Sequence, residues 1–535
     1  MSEGKLGQKK IENIKEVSGA WRNVNSIIAM VGTLLILIGL PLVFQDYYFN
    51  ILKVKYYFYC TVVIAMAVAL IITAIIFYYI YKKEIEGRAI KNIINKLSLC
   101  SLSVPDWAMI AFVVAATIST FQSDYIYESF WGNEGRFCGL FLILLYGICF
   151  FIVSRYLNFK QWYLDAFLAA GVVVSSIGIL HFFKIDPIGF KENITPYDYD
   201  IFTSTIGNIN TYTSYIALIV GASVVLFSME ENAVKKIWYT FCMVLAFCSL
   251  LMGGSDNAYL ALVALLGLLP LYLFDKLKGI KNYVCILAIL ASEFMLIGCI
   301  SDKWAEKVLD ISGIFKIVSG FNLLPYITLA LWLITAALHV VDCRQRQSRE
   351  NNIGRYIWLG LIILVSIVVI YILYDANLRG DGEKYGILQP YVVLDNNWGT
   401  NRGYIWRLAM RIYNDFPIVH KIFGSGPDTF GILTVTQYFD EMAGMYGQKF
   451  ESVHNEYLQY FVTIGIVGIT AYLSLLISSL ARMVRNSHNN PAVMAIVFSV
   501  ISYGAQAVVN ISVPIVAPIM MHLIMMGLSD SKNSI

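Results

Sequence analysis

The sequence predicts an all-α polytopic membrane protein of about fourteen transmembrane helices. Three observations carry that prediction. The chain of 535 residues is 58% hydrophobic and only 14% charged, where a soluble globular chain carries roughly 25% charged residues. Its apolar runs approach the ~20 residues needed to cross a bilayer. Its Lys and Arg fall on alternate connections between those runs.

The runs lie near 26–45, 57–81, 106–121, 137–154, 162–183, 209–228, 236–252, 258–274, 281–300, 322–341, 355–374, 457–481, 492–510 and 513–528. Asn510, Pro514 and Pro518 interrupt the last pair. Placing the N-terminus in the cytoplasm puts Lys5, Lys9, Lys10, Lys15 and Arg22 inside, then Lys82, Lys83, Arg88, Lys91 and Lys96. Arg155 and Lys160 follow, then Lys235 and Lys236, then Lys276, Lys278 and Lys281. Arg344, Arg346, Arg349 and Arg355 come next, and last Arg482 and Arg485. Every inner segment before the C-terminal tail is then basic, as the positive-inside rule requires.

The expected organisation is a cytoplasmic segment 1–25, a membrane domain 26–374 of about eleven helices, a large extracytoplasmic loop 375–456, C-terminal membrane helices 457–528 and a cytoplasmic tail 529–535. Both termini are cytoplasmic. The polar, lysine-rich start lacks a signal-peptide core, so the first span is expected to stay in the mature protein. Four segments unlike ordinary connections then share the outer side: 131–136, 204–210, 253–257 and the stretch from Thr400 to His454.

Several functions are excluded or weakened. A net charge of +3, without Lys/Arg clusters interleaved with aromatics, does not suit nucleic acid. Nine Cys are scattered singly, which gives neither a disulfide frame nor a zinc site. Neither a phosphate-binding Walker loop nor an HExxH metal motif is present. Asp198-Tyr199-Asp200 is a paired carboxylate that could hold a divalent cation, in a stretch of loop-like composition. Glu293 falls inside an expected span, where a carboxylate is a functional candidate, but it stands nearly alone there.

In the outer loop, Ile405, Leu408, Ala409, Ile412 and Phe416 recur at helical spacing, with Asn401 as a possible cap and Pro417 as the stop. Arg402 stands at the helix start, where backbone N–H groups favour an anion; Arg407 and Arg411 share a face. Guanidiniums bind phosphate oxygens in pairs, although a helix lying on lipid headgroups would use the same arginines. Gly424-Ser425-Gly426-Pro427 is a tight turn. His454 precedes Asn455 and Glu456 where the loop rejoins the membrane; an imidazole there can accept a proton from a hydroxyl, and Glu456 can orient it. Arg136 opens the fourth span from outside, where positive residues are disfavoured unless they anchor the helix or serve a site.

These residues resemble the O-antigen ligase and O-antigen polymerase superfamily of bacterial surface-polysaccharide enzymes. The resemblance rests on His454-Asn455 followed by Gly465 and Gly468, on Arg402-Gly403-Tyr404-Ile405-Trp406, and on Gly424-Ser425-Gly426-Pro427-Asp428-Thr429-Phe430. Trp131 to Arg136 and Gly207-Asn208-Ile209-Asn210 are similar in position and type. One departure stands out: Asp256-Asn257 replaces the Arg-Gly usual after Ser255.

The resemblance implies a GT-C-like glycosyltransferase that works without metal or other cofactor and inverts the anomeric centre. It would sit in the bacterial cytoplasmic membrane with its site facing outside. The donor would be a polyprenyl-diphosphate-linked glycan, the acceptor a hydroxyl on a saccharide, lipid or protein. His454 and Glu456 are the catalytic residues implied; Arg402, Arg136, Arg407 and Arg411 the donor-diphosphate ligands. Asn455, Gly424, Gly426, Gly465, Gly468, Asn208 and Asn210 would support the loops. Ligase and polymerase remain open, with a protein oligosaccharyltransferase behind them and a flippase of lipid-linked saccharide as the competitor from another class.

Overall fold

The computed structural model describes residues 19–84, 102–133, 135–196, 198–344 and 352–533. The basic residues Lys5, Lys9, Lys10, Lys15, Arg88, Lys91, Lys96, Arg346 and Arg349 lie outside them. Helices α1 (Gly19–Leu42) and α2 (Ile51–Glu84) come first. Then follow α3 (Val104–Phe121), the short α4 (Ile126–Trp131), α5 (Leu140–Tyr156) and α6 (Trp162–Phe182). A small hairpin pairs β1 (Phe202–Thr203) with β2 (Gly207–Asn208), Phe202 opposite Asn208. It leads into α7 (Ile209–Met229), α8 (Ala233–Met252), α9 (Asn257–Leu273) and α10 (Leu277–Lys303). The chain continues through α11 (Ile314–Ser319), α12 (Leu324–Arg344) and α13 (Ile353–Asn377). The long segment between α13 and the last three helices folds as α14 (Trp398–Asp415), α15 (Ile418–Phe423) and α16 (Phe430–Tyr446). Last are α17 (Glu456–Ser487), α18 (Pro491–Gln506) and α19 (Ala517–Asn533).

Every apolar run read from the sequence contains a helix, but the helices are not equal. Among the described residues eleven are long and apolar enough to cross a membrane. α5 and α9 are apolar but only 17 residues each. The final pair is separated by a non-helical stretch after Asn510. Pro514, which has no N–H and a fixed φ, lies in that break, while Pro518 sits in the first turn of α19, where no intrahelical donor is needed.

α7 is the hub: 94% of its spanning window is buried, against none of that of α13. Its closest neighbour is α18. A methyl at Gly221 would lie 2.6 Å from Ser499 Cα, and Ser499 Oγ donates to the Leu218 carbonyl at 2.8 Å. Small residues permit this approach, and a hydroxyl whose bond stays inside the bundle needs no water. α17 lies along α3, where Ser119 Oγ donates to the Thr463 carbonyl at 2.8 Å. Helices α14 and α16 share a small apolar core of their own, with Ile405, Leu408, Ala409, Ile412, Phe430 and Val453 all buried. That core ties α14 to α16 and to the segment that leads into α17.

Candidate active site

The segment holding His454 is fixed on both sides. Trp406 Nε1 donates to the Val453 carbonyl at 3.1 Å, and the Val453 N–H donates to Gln459 Oε1 at 3.0 Å. Asn455 caps α17, its Oδ1 accepting from the Leu458 N–H at 3.0 Å. Between these ties His454 takes a left-handed backbone, φ 52°, and its N–H donates to Ser452 Oγ at 3.3 Å. A side chain at positive φ costs energy that the surrounding bonds must hold in place, and such strain clusters at functional sites.

Arg402 reaches this region from α14. The chain turns through left-handed Gly399, Thr400 and Asn401 before the helix proper begins at Arg402. Asn401 therefore belongs to the turn instead of capping the helix as expected. The Tyr404 N–H donates to the Asn396 carbonyl at 3.0 Å. A methyl on Gly403 would lie 1.8 Å from the Asp395 carbonyl oxygen, so residues 395–396 lie across the helix start. Protein carbonyl thus occupies that amide, and any anion there must be held by the guanidinium. Arg402 is 9% exposed. Its Nε donates to the Val509 carbonyl at 3.0 Å, and Nη1 to the Gly399 carbonyl.

Arg136 is half-buried on the loop between α4 and α5. That loop is clamped by Asp428, whose Oδ2 accepts from the N–H groups of Asn133 at 2.8 Å and Cys138 at 3.0 Å. Burial pushes the Asp428 carboxyl up to about 6, against the pull of those two amides and of Arg136. Arg136, Cys138, Asp428, Ser452 and Ser512 line one narrow cleft. Arg136 and Arg402 both act on His454: burial first, then the charges of Arg402 and Arg136, lower its pKa to about 3. Burial also lowers Arg402 to about 10. A neutral imidazole and two cations thus form one electrostatic unit.

Other expected site residues lie elsewhere. Arg402 and Arg407 are five positions apart, which on a 3.6-residue turn sets them about 140° apart. Arg407 is exposed and donates to the Leu394 carbonyl at 2.5 Å and to Asn396 Oδ1. Arg411 pairs with Glu441 at 2.7 Å and lies 4.7 Å from the Tyr438 ring centroid. These two brace the segment around α14. Glu456 points into the bundle, where its carboxylate accepts from Tyr503 Oη at 2.7 Å and from Tyr472 Oη. It anchors the foot of α17 beneath His454 instead of meeting the imidazole.

Asn208 caps α7, accepting from the Asn210 N–H at 2.9 Å. Asn210 is a junction. Its Oδ1 accepts from Ser255 Oγ at 2.7 Å and Asn257 Nδ2 at 3.1 Å, and its carbonyl from Asn510 Nδ2 at 3.0 Å. Asn257 also reaches the Val509 carbonyl at 3.3 Å, the same carbonyl that holds Arg402. The segments at 207–210, 255–257 and 402 are therefore joined through residues 506–510. Asp256 turns the other way, accepting from Tyr391 Oη and the Ile314 N–H, both at 3.0 Å; it fastens the loop to α11 and does not replace an arginine. Asp198 accepts from Thr195 Oγ1 at 2.8 Å within a local turn. Among the described residues, no three His, Cys, Asp or Glu are grouped to hold a metal.

The glycines mark a backbone crossing. Gly424 (φ 82°) and Gly465 (φ 75°) face each other. A methyl on Gly465 would lie 2.3 Å from the Ile422 carbonyl oxygen and 2.5 Å from the Gly424 nitrogen. The Gly426 N–H donates to the Thr463 carbonyl at 2.9 Å, and a methyl there would strike Ser123 and Ser129. Gly468 lies one turn on, against Ile464. Gly465→Ala is expected to destabilise by about 2–5 kcal/mol, combining positive φ with contacts that only backbone movement relieves. A melting temperature in detergent unchanged from wild type would contradict this crossing.

Sequence reasoning missed four contributors. Asp428 and Trp406 sat inside quoted motifs, but nothing local tells that a carboxylate clamps a loop some 290 residues away. Asn510, read only as an interruption of an apolar pair, and Gln506, which nothing in the sequence marked, are the polar bridge to α7. Among curated proteins none matches the chain. Residues 323–473, which carry Arg402, the 424–428 turn, His454, Gly465 and Gly468, match the family model described as O-antigen ligase; the similar segments at 131–136 and 207–210 lie upstream of it. Through residues 323–473 this multi-helical membrane protein is thus similar to the O-antigen ligase family.

Proposed function

We propose that the protein transfers saccharide from a polyprenyl diphosphate to an acceptor hydroxyl at the outer face of the bacterial cytoplasmic membrane. The observation that carries this is His454, held at the foot of α17 with a left-handed backbone and kept from protonation first by burial and then by the charges of Arg402 and Arg136. The acceptor oxygen attacks the anomeric carbon, and the bond from that carbon to the diphosphate oxygen breaks. His454 takes the acceptor proton; the diphosphate leaves with the bonding electrons, its charge met by the two guanidiniums. One displacement inverts the centre. Bound diphosphate also cancels the charges that hold the His454 pKa down, so the imidazole becomes a better base when the donor is in place. Asp428 keeps Arg136 in position; Glu456, Asn455 and Gln459 keep His454 there. Asn208 and Asn210 hold the floor under Arg402.

The family model's description favours transfer of a finished chain over polymerisation. Glycan profiling of a host lacking the protein separates the readings. Full-length chains stranded on the lipid are the result expected of a ligase, single repeat units on the lipid that of a polymerase. An unchanged surface polymer would sink both. Complementation with Glu293→Gln distinguishes a flippase. Glu293 is buried in α10 beside Cys248, remote in sequence from every residue assigned here, so full rescue is expected of the enzyme and failure of a transporter.

A further inference from the structure

Asp256-Asn257, the pair that stands where Arg-Gly is usual, lies at the start of α9. Its two side chains lead to the two carbonyls that hold Arg402. We propose that Asp256 and Asn257 are positioning residues, each fixing one arm of the Arg402 guanidinium and together setting how it faces the donor diphosphate, an inference that rests on the proposed function.

Asn257 makes the shorter connection. Its Nδ2 reaches the Val509 carbonyl at 3.3 Å, and Arg402 Nε donates to the same oxygen at 3.0 Å. Asn257 Nδ2 also donates to Asn210 Oδ1 at 3.1 Å, which ties this arm to α7. Asp256 leads to the other arm. Its Oδ2 accepts from Tyr391 Oη, and the Tyr391 carbonyl accepts from Trp398 Nε1 at 3.1 Å. Trp398 precedes Gly399, whose carbonyl accepts from Arg402 Nη1. The Trp398 ring centroid also lies 5.2 Å from that of Trp406, which holds the Val453 carbonyl beside His454. The seat of Asp256 is shaped for a carboxylate. A methyl on Gly313 would lie 2.4 Å from both of its oxygens, and each oxygen has a donor, Tyr391 Oη or the Ile314 N–H. An amide offers one oxygen where the carboxylate offers two. The strained turn explains the need for these ties, since Thr400 is β-branched and sits at φ 60°, which its neighbours must maintain. Asn377 at the end of α13 holds the segment after Tyr391 as well, through the Leu394 N–H at 2.7 Å and the Val392 carbonyl at 2.8 Å. Asp256 therefore trims a segment that is already folded. A guanidinium tied at Nε and Nη1 aims its remaining N–H groups one way and loses little further freedom when it binds an anion.

The test uses the full-length protein in nanodiscs, with inorganic diphosphate as the probe and calorimetry as the readout. Tyr391→Phe removes only the hydroxyl that meets Asp256, and Asp256→Asn leaves one donor short of its acceptor. Each should weaken diphosphate binding about three- to tenfold at a melting temperature near wild type. Asn257→Ala should do the same through Val509. The decisive background is Arg402→Lys, which keeps the charge and measurable binding but has no fork for the two carbonyls to orient. There neither Tyr391→Phe nor Asn257→Ala should weaken binding further, because the group they position is gone. The same loss in both backgrounds would mean a merely structural role and would overturn the proposal. Wild-type affinity in either Tyr391→Phe or Asn257→Ala would overturn it too, since each carries one arm. If inorganic diphosphate fails to bind the wild-type protein, or binds Arg402→Ala equally well, the proposed function falls instead.

Discussion

His454→Ala is expected to lower turnover by about 10²–10⁴, the range a general base supplies, while donor binding and folding persist. Among the described residues the imidazole makes no side-chain hydrogen bond that holds the loop; Trp406, Gln459 and Asn455 do that. The loss should therefore fall on kcat and leave KM for the donor nearly constant. The pH dependence is as informative. With the pKa of His454 lowered to about 3, the free enzyme keeps a neutral imidazole throughout the mildly acidic range. The acid limb of kcat/KM should then not follow an ordinary histidine near 6.5. Bound diphosphate raises the pKa, so an acid limb in kcat should lie above the one in kcat/KM. Stability has a definite sign too. Above about pH 6.5 the folded and unfolded chains both carry neutral His454. Between there and about 3 only the unfolded chain takes the proton, so stability falls with falling pH, at up to about 1.4 kcal/mol per unit. His454→Gln should remove that slope. A variant with wild-type turnover would take His454 out of the chemistry.

What the sequence made legible follows from range. Spanning helices announce themselves through composition, because hydropathy acts locally and needs no partner: each apolar run contains a helix, and among the described residues eleven are long and apolar enough to span. The Arg402 helix was legible for the same reason: Ile405, Leu408 and Ile412 set its buried face, and Pro417 its end. His454 and the glycines were legible as motifs. Why the glycines are glycines was not, since Gly424 and Gly465 matter to each other across the fold. Arg407 and Arg411 show the opposite failure. Their spacing marked a shared face correctly, but a face needs a partner to have a role, and Glu441 and Asn396 are chosen by the loop's own packing. Glu456 lies two residues after His454 in sequence and is directed away from it by the turn of the helix that it begins. Asp256 likewise serves contacts, to Tyr391 and Ile314, that no local pattern reveals.

The second large effect is expected at Arg402. Arg402→Ala should cost about 10²–10³ in kcat/KM, the size seen when one donor to developing negative charge is removed. Arg402→Lys should rescue only a small part. A lysine ammonium carries the charge but is a point donor without the planar fork. It cannot at once hold the Val509 and Gly399 carbonyls, as Nε and Nη1 do, and present further N–H groups to a phosphate. The guanidinium is oriented by those two carbonyls, and Val509 is itself joined through Asn257 to Asn210. Asn210→Ala should therefore reproduce a weaker form of the Arg402 phenotype without touching any charge. The two variants part on pH. Removing the Arg402 cation relieves one of the charges that disfavour protonated His454, so the imidazole pKa rises, and the residual activity of Arg402→Ala should show an acid limb at higher pH than wild type. Asn210→Ala leaves the cation in place and should not move it. Steady-state kinetics across pH, with a defined lipid-linked donor, read both effects. An Arg402→Lys enzyme as active as wild type would mean that charge alone suffices there and that the carbonyl-held fork has no part in catalysis.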